Sequence, residues 1–182
     1  FASLILLVVV FSVLSSNFFQ FSNIVGILLS TAVIGILAIG GTFVIISGGI
    51  DLSVGTVMTL TSVMTGVFIA NMGLPIWIGV LGGIATGALC GFLCGTAIAR
   101  LQIPPFIATL AMMMIAKGLA LVISGTRPIY FNDAPGFTNI SLGSVVDEYL
   151  IPGFKIPNAV LIFFGAAIIG SIVLAKTVLG RY

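Results

Sequence analysis

Apolar residues run along this chain in long stretches separated by short polar punctuation, and the breaks divide it into six candidate spans. A membrane-crossing helix takes about 20 mostly apolar residues. On that rule, spans are expected from the start to Leu14, Ile24 to Ser47, Val54 to Ala70, Pro75 to Ala99, Pro104 to Ser124 and Asn158 to Ala175. The first is short and no Met precedes it, so the sequence reads as beginning inside a span. A signal peptide is the alternative, weakened by the absence of a basic leading region and of an Ala-x-Ala type site. Ser15 to Asn23, with Phe18, Phe19 and Phe21 among polar residues, reads as an interfacial connection. Asn71 and Gly73 end the third span, Pro75 opens the fourth, and Pro104-Pro105 start the fifth after a turn at Arg100 to Ile103. Residues 125–157 read as the one long polar loop, rich in Gly, Pro, Asn and Asp. The expected fold is all-α: a polytopic transmembrane helical bundle of about six spans, one domain over residues 1–182, with a Gly-rich helix break around residues 48–55.

Composition narrows the class further. The chain is 60% hydrophobic and 5% charged, with no histidine; soluble domains carry about 25% charged residues. A net charge of +2, with dispersed basic residues, excludes a nucleic-acid partner. The basic residues serve instead as orientation signals. Six alternating spans place Arg100, Lys176 and Arg181 on one side, read as cytoplasmic. The long loop then faces outward, its Asp133, Asp147 and Glu148 offsetting Arg127 and Lys155, and the break falls in the cytoplasmic half.

Asp51 is the only charged residue among the first 99, and it sits in Gly48-Gly49-Ile50-Asp51-Leu52-Ser53-Val54-Gly55 between two membrane-length apolar runs. An ionisable group at such depth costs at least about 2.5–3.5 kcal/mol on insertion scales and faces protein or a wet cavity. Gly48, Gly49 and Gly55 permit non-helical backbone angles, and irregular backbone at membrane depth survives only where protein or a water-lined cavity surrounds it. Two roles for Asp51 are compatible. Its carboxylate can cap a helix beginning near Leu52, and a broken helix whose end points into a cavity is how many transporters build a polar site.

Other positions divide between packing and passage. Gly79, Gly83, Gly87, Gly91 and Gly95 recur at spacing four over about 24 Å, a ridge that lets a second helix approach closely. Thr56, Thr59, Ser62 and Thr65 recur at spacing three, with Thr61 off the line. They offer hydrogen bonds to a polar solute or satisfy themselves on carbonyls three or four residues back. Lys117 is the second intramembrane charge. It lies close enough to the outer end of its span to snorkel, and the topology separates it from Asp51. Cys90 and Cys94, four apart on one helix, suit neither a disulfide nor a metal site and read as packing residues. The chain has no phosphate loop, no His-Glu-x-x-His and no histidine base, so neither catalytic residues nor a metal site are expected.

Several blocks then resemble one family in order: Ser16-Asn17-Phe18-Phe19, Ala38 to Ile45, Ser47 to Gly55, Pro105 to Leu110, and Thr177-Val178-Leu179-Gly180-Arg181-Tyr182. They resemble the permease subunits of ribose-type sugar ABC importers, most specifically at Gly-Ile-Asp-Leu-Ser-x-Gly. The resemblance covers essentially the whole chain but only the first part of the family pattern, so the sequence is expected to be an N-terminal portion that stops before the segment docking on the ATPase. It implies a permease domain in a bacterial inner membrane, passing a pentose- or hexose-type sugar. The implied partners are a cytoplasmic ATPase carrying ATP and Mg²⁺, a periplasmic or lipid-anchored sugar-binding protein, and a second permease copy or paralogue. No cofactor would bind this chain. Gly48, Gly49, Asp51, Ser53 and Gly55 would carry the signature. An ion-coupled secondary carrier and a structural membrane subunit remain the alternatives.

Overall fold

The computed structural model describes residues 1–131, 134–150 and 155–177, and these form helices joined by turns. In chain order they are α1 (Ala2–Leu14), α2 (Phe21–Ile46), α3 (Val54–Gly66), α4 (Ile76–Leu101), α5 (Pro105–Ser124), α6 (Pro135–Leu142) and α7 (Asn158–Lys176). A wider π-type turn, Val67–Asn71, extends α3, and a second one covers Val146–Leu150. Among the described residues five elements are long and apolar enough to cross a membrane: α2, α3 with its extension, α4, α5 and α7. The 13-residue α1 is apolar but shorter, and it buries none of its residues.

Local chemistry sets the ends. Pro105 is the first residue of α5, where its missing N–H costs nothing. Pro75, the expected start of the fourth span, is the N-cap of α4, which begins one residue later at Ile76. The α2 terminus is a Schellman motif: Gly48 takes φ +75°, its N–H donates to Ile45 O, and the Gly49 N–H donates to Val44 O. Gln102 and Gly125 close α4 and α5 in the same left-handed conformation. α2 begins three residues earlier than its hydropathy predicts, because polar side chains organise the turn before it. Asn23 Nδ2 donates to Phe18 O at 2.8 Å and Gln20 Nε2 to Asn17 Oδ1 at 2.6 Å.

The expected loop 125–157 contains α6, a difference traceable to Asn158. Its backbone N–H donates to Gly143 O, its Nδ2 to Asn139 O, and its Oδ1 accepts the Val145 N–H. One side chain on α7 thereby folds the segment before it, a long-range tie that local composition does not display. Asp133 and residues 178–182, including Arg181 and most of the closing family block, lie outside the described residues.

Two packing groups result. Leu60, Cys90, Met112, Ala116 and Ala120 bring α3, α4 and α5 together. Ala32, Ala159 and Val160 join α2 to α7. α2 and α7 run parallel: Gly35 meets Phe163, and further along Ile39 lies against Gly170. Their C-terminal ends, carrying the break and Lys176, therefore share a level. The break touches the start of α5, directly after Arg100 and the α4–α5 turn, so all three features lie at one end of the bundle.

The glycine ridge divides in two. At about 100° per residue, spacing four drifts by about 40° per step, so a five-glycine run turns most of the way to the opposite face. A Cβ at Gly79 would run into Ile69, at Gly83 into the Thr65 hydroxyl, and at Gly87 would stand 3.1 Å from Thr61 Cγ2. Gly91 and Gly95 have nothing within 4 Å. Close helix approach therefore uses the first three, and Gly82, facing the Phe68 ring, joins them. Gly83→Val is expected to cost about 1–3 kcal/mol of overpacking, lowering the thermal midpoint in detergent by several degrees. Gly95→Ala should leave that midpoint unchanged.

Candidate functional site

The break between α2 and α3 is built from its own polar groups. Asp51 Oδ1 accepts both the backbone N–H and the hydroxyl of Ser53, each at 2.7 Å. Ser53 is the N-cap residue of α3 and is buried. The carboxylate thus does not cap a helix starting near Leu52. It grips the residue that begins α3 two positions on, and α3 has no side-chain cap bond of its own. The carboxylate still lies beside the N-terminal end of α3.

On the other side of Asp51, the Ile50 carbonyl lies 3.2 Å from the Thr109 hydroxyl on α5. Gly49 approaches Pro105, leaving 3.7 Å between a Cβ built there and the proline Cβ. The first turn of α5 thus forms a shelf under the break.

A cavity of about 370 Å³ opens above this shelf. Asp51 and Ser53 line it with Val54, Val57, Met58 and Thr61, which fall at i, i+3, i+4 and i+7 of α3 and so share a face. Gly40 and Gly41 of α2 and Gly87, Gly91 and Cys94 of α4 supply the other walls. A second cavity of about 700 Å³ continues along the α3–α4 groove past Ser62 and Thr65 to Phe131 and Phe137. Thr61 and Gly87 border both. The two phenylalanines stack with ring centroids 4.3 Å apart. The groove therefore runs from a carboxylate at one end to an aromatic pair at the other, bordered midway by a hydroxyl and a glycine.

The hydroxyl stripe does not form one wall. Spacing three drifts by about −60° per step, which puts Thr56 and Thr65 on opposite sides of α3. Thr56 and Thr59 donate to Ser53 O and Gly55 O and line neither cavity. Ser62 and Thr65 reach only the second cavity, donating to Met58 O and Thr61 O. Thr61, off the stripe, borders both cavities and donates to Met58 O. With their protons committed to the backbone, these hydroxyls present lone pairs to the groove. Gly48, Gly49 and Gly55 shape the break without lining either cavity.

Counting the helical face from Val54 instead of following hydroxyls would have found Thr61. Thr109 and the Phe131–Phe137 pair carry no local signal beyond residue type, since each acts across many positions of sequence. Lys117 is exposed on α5, about 12 Å along the helix from Thr109, while the Asp51 carboxylate is engaged by Ser53. Both cysteines are free. Cys90 is buried in the α3–α5 core, whereas Cys94 borders the cavity. Among the described residues no three His, Cys, Asp or Glu side chains gather as metal ligands.

The family model described as "Branched-chain amino acid transport system / permease component" matches residues 23–182. A fructose import permease of Rhizobium meliloti is 35% identical over 98% of this chain and 50% of its own length. A ribose import permease of Haemophilus influenzae is 34% identical over 100% of this chain and 54% of its own. A galactofuranose transporter permease of Escherichia coli is 33% identical over 99% and 52%. The chain thus spans about half the length of the curated relatives it matches. No solved structure matches it.

The unequal placement of the two thiols makes a direct check. In the intact protein a small water-soluble maleimide is expected to alkylate Cys94 and spare Cys90, read by peptide mass mapping; an unmodified Cys94 would show that the cavity is closed to water.

Proposed function

We propose, on the premise that this chain belongs to the family of permease components of branched-chain amino acid transport systems, that it builds the membrane pathway of an ATP-driven importer for a neutral monosaccharide. The observation that carries this reading is the groove from Asp51 to the Phe131–Phe137 stack. Its cargo follows from what lines it. Among the described residues, Asp51 is the one charged side chain bordering either cavity. A zwitterionic amino acid would bring a carboxylate to a site with no cation to meet it, and unpaired charge in a desolvated site is costly. A sugar brings hydroxyl protons instead, and the carboxylate and the proton-committed hydroxyls of Thr61, Ser62 and Thr65 are acceptors. Apolar and aromatic walls with a few polar groups are the usual construction of a small-molecule site. The ribose, fructose and galactofuranose named for the relatives support the same class.

Gly48, Gly49, Ser53 and Gly55 hold Asp51 in place, and Gly91 keeps the wall opposite it open. The pathway would be completed by a second permease copy or paralogue in a bacterial cytoplasmic membrane. A binding protein outside would deliver the sugar, and a separate ATPase subunit inside would hydrolyse ATP. Two substitutions in the intact transporter test the groove. Asp51→Asn should lower the import rate by about tenfold or more, as losing a charge-assisted bond does, while the ATPase still co-purifies. Gly91→Leu, which meets no neighbour within 4 Å of its Cβ, should block import by filling the cavity while leaving assembly intact. Normal import by both variants would sink the pathway, and import that follows an ion gradient without ATP would favour a secondary carrier.

A further inference from the structure

We infer that Thr109 is a positioning residue for Asp51, fixing the depth at which the break presents its carboxylate to the groove; this rests on the pathway reading above. Two polar side chains are buried among the described residues, Ser53 and Thr109, exposed by 4% and 3%. Both act on this one break, from opposite sides. Ser53 engages the Asp51 carboxylate, and Thr109 reaches the carbonyl of the residue before it. The Thr109 bond spans 59 residues of sequence.

A hydroxyl carries a single proton, and three carbonyls lie near that of Thr109: Pro105 O at 2.9 Å, Phe106 O at 3.3 Å and Ile50 O at 3.2 Å. Pro105 O already receives the Thr109 N–H in the helical ladder. Phe106 O is likewise the acceptor for the Leu110 N–H. Ile50 O has no other partner among the described hydrogen bonds. Thr109 is buried whereas Ile50 is exposed, and of the three carbonyls the one without another partner is the one that gains most from the proton. The break therefore cannot shift along the bundle axis without either carrying the start of α5 with it or giving up this bond. The methyl of Thr109 contributes packing that valine would reproduce, so the bond and the volume are separable.

The test is made in the intact transporter with its ATPase, reconstituted in vesicles and supplied with sugar and binding protein. Thr109→Val should lower the import rate by about tenfold, the scale of one orphaned backbone acceptor, with the ATPase bound as in wild type. Thr109→Ser, which keeps the donor, should import within about twofold of wild type. Thr109→Ala gives the same comparison if valine prevents assembly. The double variant Asp51→Asn/Thr109→Val distinguishes positioning from general support. If Thr109 acts through Asp51, the double is no slower than the slower single; if it merely stabilises the fold, the two losses multiply. Multiplying losses, or wild-type import by Thr109→Val and Thr109→Ala, overturns the inference while leaving the pathway standing. Wild-type import by Asp51→Asn alone removes the pathway reading, and this inference with it.

Discussion

A backbone that leaves its helix must find new partners for its polar groups, and the rest of this structure follows from how residues 47–53 meet that demand. The Schellman turn at Gly48 and Gly49 closes α2 on its own carbonyls. Asp51 engages Ser53, and Thr109 reaches Ile50 from another helix. These contacts turn an otherwise costly interruption into a fixed corner. The corner sets where α3 begins, which face of α3 looks into the groove, and how close the start of α5 must come.

The glycines of α4 serve two ends because a spacing of four does not match the helical repeat. Near Gly79 and Gly83 they admit Ile69 and Thr65, drawing α3 against α4. By Gly91 the same run has rotated off the contact, and its missing side chain becomes space bordering Asp51. One sequence feature thus seals one stretch of the groove and opens the other.

Much of the fold was legible because its signals are local. Long apolar runs located the helices, and Pro75, Pro105, Gly48 and Gly125 marked ends to within a few residues. Asp51 stood out because a charge amid glycines has few explanations in an apolar chain. The parts that escaped depend on rotation or distance. Thr56, Thr59, Ser62 and Thr65 suggested a stripe, but spacing three winds them around α3. Asn158 gave no hint that it would fold α6, and nothing around Thr109 marked it as the partner of a residue 59 positions earlier. The Asp51 carboxylate was legible as a helix-end group, yet which N–H it accepts depended on the helix starting at Val54 rather than near Leu52.

The segment between α5 and α7 ties the two helix groups together. Ile129 packs on Gly66 and keeps Phe131 with α3, whereas Asn158 fastens α6, and so Phe137, to α7. The stacked rings span the seam between these groups. At that end the two groups therefore meet through paired aromatic faces and through Gly136 of α6, which lies against Ile76 at the start of α4, so the far end of the groove is walled by both groups at once.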